Sequence, residues 1–305
     1  MTRWMKADLD PVSHQSLRRN PASLRTQAEV SRFLCHNGRV EGVRLKNGEE
    51  IRARVVLSGL DPRQTFVNLL GPEALPSEVR KDLSRFKYRG SSGKVNMAVD
   101  RLPRFACLPG DGVHLRGDIS IAPSIDYLER AYDDAKYGQF SRRPFINMVV
   151  PSVMDPTMAP YGKHVVSCFV QYAPYHLAEG NWDDQREAFG DAVVDTLEEY
   201  VPGLKASILH RQVLTPLDLE RDFGLTEGNI FQGELSLEQM FFLRPTADGS
   251  RYRTPLKGLY LCGSAAHPGG GIMGAPGMLG ARQVLADLRS ETRTNGAGAT
   301  ALLTR

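Results

Sequence analysis

The stretch that most constrains this chain lies near its end, at Leu259-Tyr260-Leu261-Cys262-Gly263-Ser264-Ala265-Ala266-His267-Pro268-Gly269-Gly270-Gly271-Ile272-Met273-Gly274. Apolar residues suited to a strand run into a glycine-rich loop, and residues 275–288 then carry the spacing of a helix. Glycines let backbone N–H groups come close to a ligand, because no Cβ intervenes. The helix that follows points its positive end at the same place. Such a unit favours an anion, or negative charge that develops during a reaction. The glycines alone are equally consistent with a turn that binds nothing. A Walker-type phosphate loop is disfavoured, since no Lys-Ser/Thr pair closes the run.

The rest of the chain frames that unit. Residues 29–34 lead into Asn37-Gly38, and the alternating stretch 40–45 meets Asn47-Gly48; both dipeptides are hairpin signals. A third strand beginning at Ile51 runs into Val55-Val56-Leu57-Ser58, an uninterrupted apolar run of the kind buried on both faces of a sheet. A three-stranded meander is thus expected to return the chain into the centre of an α/β sheet. Asp61-Pro62 opens a helix, with Asp61 as cap and Pro62 in the first turn. Between 91 and 178 the chain is strand-rich: 94–99 alternates, and 145–150 and 165–170 read as partners across a long connection containing Pro151, Pro156, Pro160 and Gly162. Helical spacing marks 124–136 and 183–200, and in the second Phe189, Val193, Leu197 and Tyr200 form a core-facing stripe. A short helix is expected over 217–223. Residues 1–22 and 291–305 are read as a disordered leader and tail.

Composition excludes several classes. The chain has 305 residues, 41% hydrophobic and 24% charged, enough for one large domain or two modest ones. A net charge of +3 without a basic stripe gives no reason to expect nucleic acid. Cys35, Cys107, Cys168 and Cys262 are far apart and form no Cys-x-x-Cys pair, so neither a zinc knuckle nor a dithiol redox centre is expected, and no metal. Sparse cysteines suit a reducing compartment: the cytoplasm for a bacterial source, with the mitochondrion open to a eukaryotic one. No apolar run reaches the roughly 20 residues that span a bilayer, and the N-terminus lacks the apolar stretch of a secretory signal.

Residues 258–277, GLYLCGSAAHPGGGIMGAPG, resemble the C-terminal flavin motif of the phytoene dehydrogenase and flavin amine oxidase superfamily. Residues 55–66, VVLSGLDPRQTF, resemble the same family's return strand, and 94–103, 164–167, 214–220 and 228–231 add to the likeness, which runs from about 23 to 288. The resemblance implies an α/β fold with an α+β substrate lobe. A partial Rossmann-like FAD-binding lobe is expected over 23–70 and 255–290, interrupted by a mixed-sheet substrate lobe over 71–254. It implies FAD as cofactor, a small organic substrate, and hydride transfer from a C–H or C–N bond to flavin N5. In such enzymes an N-terminal β-α-β unit with Gly-x-Gly-x-x-Gly first holds the dinucleotide. Neither Asn37-Gly38-Arg39 nor Gly269-Gly270-Gly271 fits that motif. An N-terminal segment missing from this chain is the expected complement, with a homo-oligomer as the other association considered.

Carried over position by position, Val30 matches the residue whose backbone meets the adenine. Ser58 and Gly59 lie where the return strand nears the dinucleotide. Gly263 and Ser264 match residues near the pyrophosphate and ribityl chain, Ser264 standing where many relatives have an acidic residue. Gly271, Ile272, Met273 and Gly274 match the backbone beside the isoalloxazine ring. Lys94 matches the amine oxidase lysine that reaches flavin N5 through water, and is the catalytic candidate; by strand spacing alone it reads as an exposed lysine. His267 is read as capping a turn in preference to lining the site. No Ser-His-Asp or paired-carboxylate arrangement is visible, as suits an enzyme whose cofactor carries the chemistry.

Two rival readings remain open. One is a non-catalytic remnant or interaction module that keeps the fold, motivated by the absent dinucleotide unit and the unpaired strand edges this would leave. The other is a terpenoid desaturase or isomerase, which an apolar tunnel would separate from an amine oxidase with an aromatic cage. Tyr172, Tyr175, Phe241 and Phe242 are read as core-packing residues.

Overall fold

Both Asn-Gly pairs close hairpins in the computed structural model, which describes residues 23–271 and 274–301. Along the described residues the strands are β1 (Val30–His36), β2 (Arg39–Leu45), β3 (Glu50–Arg52), β4 (Val56–Ser58), β5 (Ser92–Val99), β6 (Ile119–Ile121), β7 (Phe145–Val149), β8 (His164–Gln171), β9 (Ile208–Leu214) and β10 (Leu259–Leu261). The longer helices are α1 (Ser77–Arg85), α2 (Ile125–Lys136), α3 (Trp182–Tyr200), α4 (Pro216–Phe223) and α5 (Ala275–Ala301). The expected leader, residues 1–22, lies outside the described residues.

The chain divides into two units. One comprises the described residues up to Ser84 together with those from Phe241 onward; the other is Arg85–Met240, inserted into the first. The seams fall at 84/85 and 240/241, where the sequence placed them at 70/71 and 254/255. The physical reason is packing: Leu75 and Tyr252 are buried in the core of the first unit, and Val79 and Leu83 of α1 pack against it.

In the first unit β1, β2 and β3 form an antiparallel sheet. Asn37 (φ 46°) and Gly38 (φ 72°) both adopt the left-handed backbone that a tight two-residue hairpin demands. β4 leaves this sheet and pairs in parallel with β10, Leu57 opposite Tyr260 and Ser58 opposite Leu261. Val40 N donates to the Lys257 carbonyl at 2.8 Å, tying β2 to the entrance of β10. A Cβ at Gly258 would stand 2.6 Å from the Val40 carbonyl oxygen, so only glycine (φ 79°) allows this approach. Phe33, Val40, Phe66, Leu256, Leu259 and Leu261 fill the core between. Asp61 caps as expected, its Oδ1 accepting from Gln64 N at 2.9 Å, but the segment it heads, Arg63–Leu69, is wound as a π-helix. Burial of β4 on both faces is not observed. Leu57 is 42% exposed, because among the described residues the β4–β10 sheet has two strands and leaves that face uncovered.

α5 runs from Ala275 to Ala301, where the sequence reading ends the helix at Leu288. No proline follows Leu288 to end the hydrogen-bond ladder. α5 packs tightly on β10: a Cβ at Gly280 would lie 3.1 Å from the Leu261 carbonyl oxygen.

The second unit is built on the sheet β6-β7-β8-β5-β9. Every pairing in it is antiparallel, which corrects the expected mixed sheet. A parallel neighbour would need a crossover returning the chain to the same end, and none of these four neighbouring pairs is joined in that way. One face carries Val95, Met97, Ile146, Met148, Val166, Cys168 and Val170, all essentially fully buried. Phe189, Val193 and Leu197 of α3 close that core as their spacing predicts. Phe189 meets Phe140 and Trp182 edge-on at 5.7 and 5.5 Å, and a Cβ at Gly93 would come within 2.6 Å of its ring. Asn181 caps α3, and a Thr215–Asp218 capping box with Pro216 in the first turn starts α4.

Candidate functional site

β4 and β10 end side by side. Ser58 pairs with Leu261, and Cys262 N donates to the Ser58 carbonyl at 2.9 Å. Gly59, directly after β4, and Gly263, one residue beyond Cys262 after β10, therefore leave from one carboxyl edge, where ligands of parallel α/β sheets bind. Four expected site residues, Ser58, Gly59, Gly263 and Ser264, come together there. Gly271 and Gly274 bring the loop back to the start of α5. Ile272 and Met273 lie outside the described residues. Val30 opens β1 opposite Leu45, in the other sheet of the same unit. Lys94 belongs to the second unit, on β5 opposite Phe169 and Leu214.

The loop is open on one side and held on the other. A Cβ built at Gly59 or Gly274 meets no atom within 4 Å, so backbone faces free space there. Gly269 (φ 113°), Gly271 (φ 124°) and Gly274 (φ 65°) take conformations that side chains disfavour. Ala265 and Ala266 are buried, and Ala266 N and Gly269 N close successive turns onto the Gly263 and Ala266 carbonyls at 3.0 and 2.8 Å. The Ser58 hydroxyl points inward: it shares a 2.7 Å hydrogen bond with Thr65 Oγ1 and accepts from Leu60 N at 3.3 Å. Ser58 thus offers a ligand its backbone, not its side chain.

His267 departs from the turn-capping role expected of it. Its Nδ1 is buried and has no hydrogen-bond partner among the described residues. A polar atom in that state costs about 1–3 kcal/mol unless something pairs with it. The thiols offer no redox nucleophile at Cys35, Cys168 or Cys262. Burial pushes all three up, Cys168 to about 12, and so keeps them protonated. The aromatic residues also differ from expectation. Phe241 and Phe242 are 53% and 67% exposed, since the short turn that carries them presents both rings outward. Tyr172 stacks edge-on against Tyr132 at 5.3 Å, and Tyr175 donates to Glu220.

Two features escaped the sequence. Arg244 is fully buried, and its Nε donates to the Ser264 carbonyl at 2.8 Å. Asp287 of α5 gathers Arg253, Tyr260 and Gln283 onto one carboxylate behind β10. The one local signal for Arg244 was a basic residue within the apolar run Phe241-Phe242-Leu243-Arg244-Pro245.

A parallel strand pair whose carboxyl edge opens into a glycine loop and helix, with an antiparallel-sheet unit inserted, is the arrangement of a cofactor-binding lobe carrying an inserted unit. The chain belongs to the flavin containing amine oxidoreductase family, whose model matches residues 9–277. It is 48% identical over 278 residues to pyridine nucleotide-disulfide oxidoreductase domain-containing protein 2 of Rattus norvegicus, an alignment covering 88% of this chain and 48% of that protein. It is 28% identical over 285 residues to the neurosporene-forming phytoene desaturase of Cereibacter sphaeroides, covering 87% of this chain and 49% of the desaturase. The crystal structure of an oxidoreductase from Methanosarcina mazei superposes with a TM-score of 0.56 at 22% identity, covering 90% of this chain and 52% of the other, which establishes the fold. The chain spans about half the length of the curated relatives it matches. Its family is one of flavin-containing oxidoreductases, so a flavin is the cofactor that the family implies. Among the described residues no helix is long and apolar enough to cross a membrane.

Proposed function

We propose that this chain supplies the flavin-facing wall and the substrate sheet of an enzyme that takes a hydride from a small organic molecule. The observation that carries the reading is the convergence of Ser58-Gly59 and Gly263-Ser264 on one carboxyl edge, beside a loop whose His267 Nδ1 is buried and unpaired. That orphaned nitrogen, and the open backbone at Gly59 and Gly274, fit a dinucleotide better than an empty turn. The backbone of Gly59, Gly263 and Ser264 would hold the dinucleotide, with Val30 the residue that the family resemblance assigns to the adenine and Gly271 and Gly274 those it assigns to the ring. The N-terminal end of α5 favours negative charge there. FAD, when bound, would supply the hydride acceptor.

Lys94, on the second unit, is the catalytic candidate that the family resemblance assigns. It stands on the face of the five-stranded sheet turned away from the buried core, paired with Phe169 and Leu214. On the same face Ser167 Oγ donates to Asn96 Oδ1 at 2.8 Å and Asn96 Nδ2 to Gln212 Oε1 at 3.1 Å. Apolar and polar patches side by side suit a small organic substrate with one polar group.

A second reading, a non-catalytic interaction module, is favoured by one observation: Leu57, Leu60 and Val67 are each more than 40% exposed around β4. The two readings separate in a flavin titration. The purified chain is mixed with FAD, alone and together with a segment carrying a Gly-x-Gly-x-x-Gly dinucleotide unit, and followed by flavin fluorescence and visible absorption. Stoichiometric flavin in the completed protein is expected. A completed protein that carries none refutes the enzymatic reading.

A further inference from the structure

Arg244 is the largest fully buried side chain among the described residues, and it is a cation. An arginine stays protonated in any protein environment, so its burial must be offset by polar contacts. One of those contacts is specific to the glycine loop: Nε donates to the Ser264 carbonyl at 2.8 Å. The same Nε and the adjacent Cδ lie 3.9 Å from where a Gly269 Cβ would stand. A single side chain therefore hydrogen-bonds the outgoing arm of the loop at Ser264 and lies near the returning arm at Gly269.

This contact has a directional consequence. The Ser264–Ala265 peptide is planar and trans, so its C=O and N–H point to opposite sides. Drawing the Ser264 carbonyl toward Arg244 turns the Ala265 N–H away from it. The guanidinium thus fixes the orientation of a backbone plane in the loop. It also places a buried positive charge beneath the segment, where negative charge on a ligand is favoured.

We propose that Arg244 is the positioning residue of the flavin-facing loop, holding 264–269 in its cofactor-ready conformation and favouring the electron-rich flavin. The inference rests on the flavin reading above. A lysine would keep the charge but not the planar Nε–H that reaches Ser264, so Arg244→Lys separates geometry from charge. Arg244→Gln removes the charge.

The test uses the full chain and three readouts. Amide hydrogen exchange across 263–269 is measured without flavin, with β10 as internal reference. FAD affinity is measured with the dinucleotide-binding segment present, and the flavin midpoint potential is then taken by dye equilibration. Expected are loop exchange at least tenfold faster in both variants with β10 within twofold, FAD affinity weakened at least tenfold, and a more negative potential in Arg244→Gln than in Arg244→Lys. Wild-type exchange and affinity in both variants overturn the proposal, as does equal potential with equal affinity. Should Arg244→Gln fail to fold, Arg244→Lys decides on exchange and affinity. Should the wild-type complex bind no FAD, the flavin reading falls, and unchanged exchange at 263–269 in Arg244→Lys overturns the clamp independently.

Discussion

Removing the Asp287 carboxylate should loosen α5 from β10 by an amount the local geometry allows us to work out. Oδ2 accepts from Arg253 Nε at 2.8 Å and from Tyr260 Oη at 2.9 Å; Oδ1 accepts from Arg253 Nη2 at 2.5 Å and Gln283 Nε2 at 3.0 Å. The Asp287 side chain is 20% exposed and that of Arg253 50%. The half-exposed arginine recovers water in Asp287→Ala, so its share is about 0.5–1 kcal/mol. Tyr260 is buried, and leaving its hydroxyl without that acceptor costs about 1–2 kcal/mol. The sum, about 1.5–3 kcal/mol, should be read as a lower urea midpoint at pH 7. Asp287→Asn keeps one acceptor and should lose about half as much. The pH dependence gives a second check. The Arg253 hydrogen bond, opposed by burial and aided by Tyr260 and Gln283, holds the Asp287 carboxyl below the usual range. A depressed carboxyl contributes stability that is complete above its unfolded value, near about 3.9, and is lost as pH falls through the folded one. The gap between wild type and Asp287→Asn should therefore close as pH drops below about 4. Tyr260 acts with the opposite sign. Burial first, then the Asp287 hydrogen bond, pushes its hydroxyl up to about 12, so its contribution is lost as pH rises through that value. A cost below about 0.5 kcal/mol, or a gap constant from pH 7 to 3, would refute the carboxylate as the node.

Ser58→Ala should cost about 1 kcal/mol in urea denaturation, because Thr65 Oγ1 keeps its 3.4 Å contact to the Leu60 carbonyl, while FAD affinity stays within about threefold. A tenfold loss of flavin at unchanged stability would mean the hydroxyl serves the ligand. Phe189→Ala should destabilise the second unit by about 3–5 kcal/mol, since a fully buried ring is lost from between Phe140 and Trp182. A loss under about 1.5 kcal/mol, followed by Trp182 fluorescence, would mean the site collapses around the gap.

What could be read from the sequence was what neighbours in the chain decide. Asn37-Gly38 and Asn47-Gly48 impose a turn by their own backbone preferences, and the hairpins follow. Phe189, Val193 and Leu197 fall on one helical face whatever lies opposite. The glycine loop was legible for the same reason, since its conformations are ones that few other residues adopt. Partner number and direction are decided at long range. Val55-Val56-Leu57-Ser58 reads as buried, but nothing in those four residues counts the strands beside them, and Leu57 is exposed. β5 lies between β8 and β9, far later in the chain, so no local pattern distinguishes an antiparallel sheet from a mixed one. Arg244 and Ser264 are 20 positions apart and Arg253 and Asp287 are 34, beyond any periodicity a window detects.

These long-range contacts bear directly on how a flavin would bind. The loop is fixed from beneath by Arg244, at its entrance by the close approach of Gly258 to Val40, and at its exit by α5, which Asp287 and the tight Gly280 contact hold against β10. Restraint of residues 263–269 lowers the ordering that a ligand must impose on that part of the loop. Against that, His267 Nδ1 carries an unmet hydrogen bond in the unliganded chain. Both effects act in one direction: restraint lowers the cost of binding, and pairing the orphaned nitrogen adds to its gain. If a flavin group provides that partner, bound FAD stabilises the first unit through mass action, by about 2.7 kcal/mol at a hundredfold excess over Kd. Replacing His267 by a residue that leaves nothing unpaired would then stabilise the free chain while weakening the cofactor's hold, a sign reversal that a purely structural histidine does not produce.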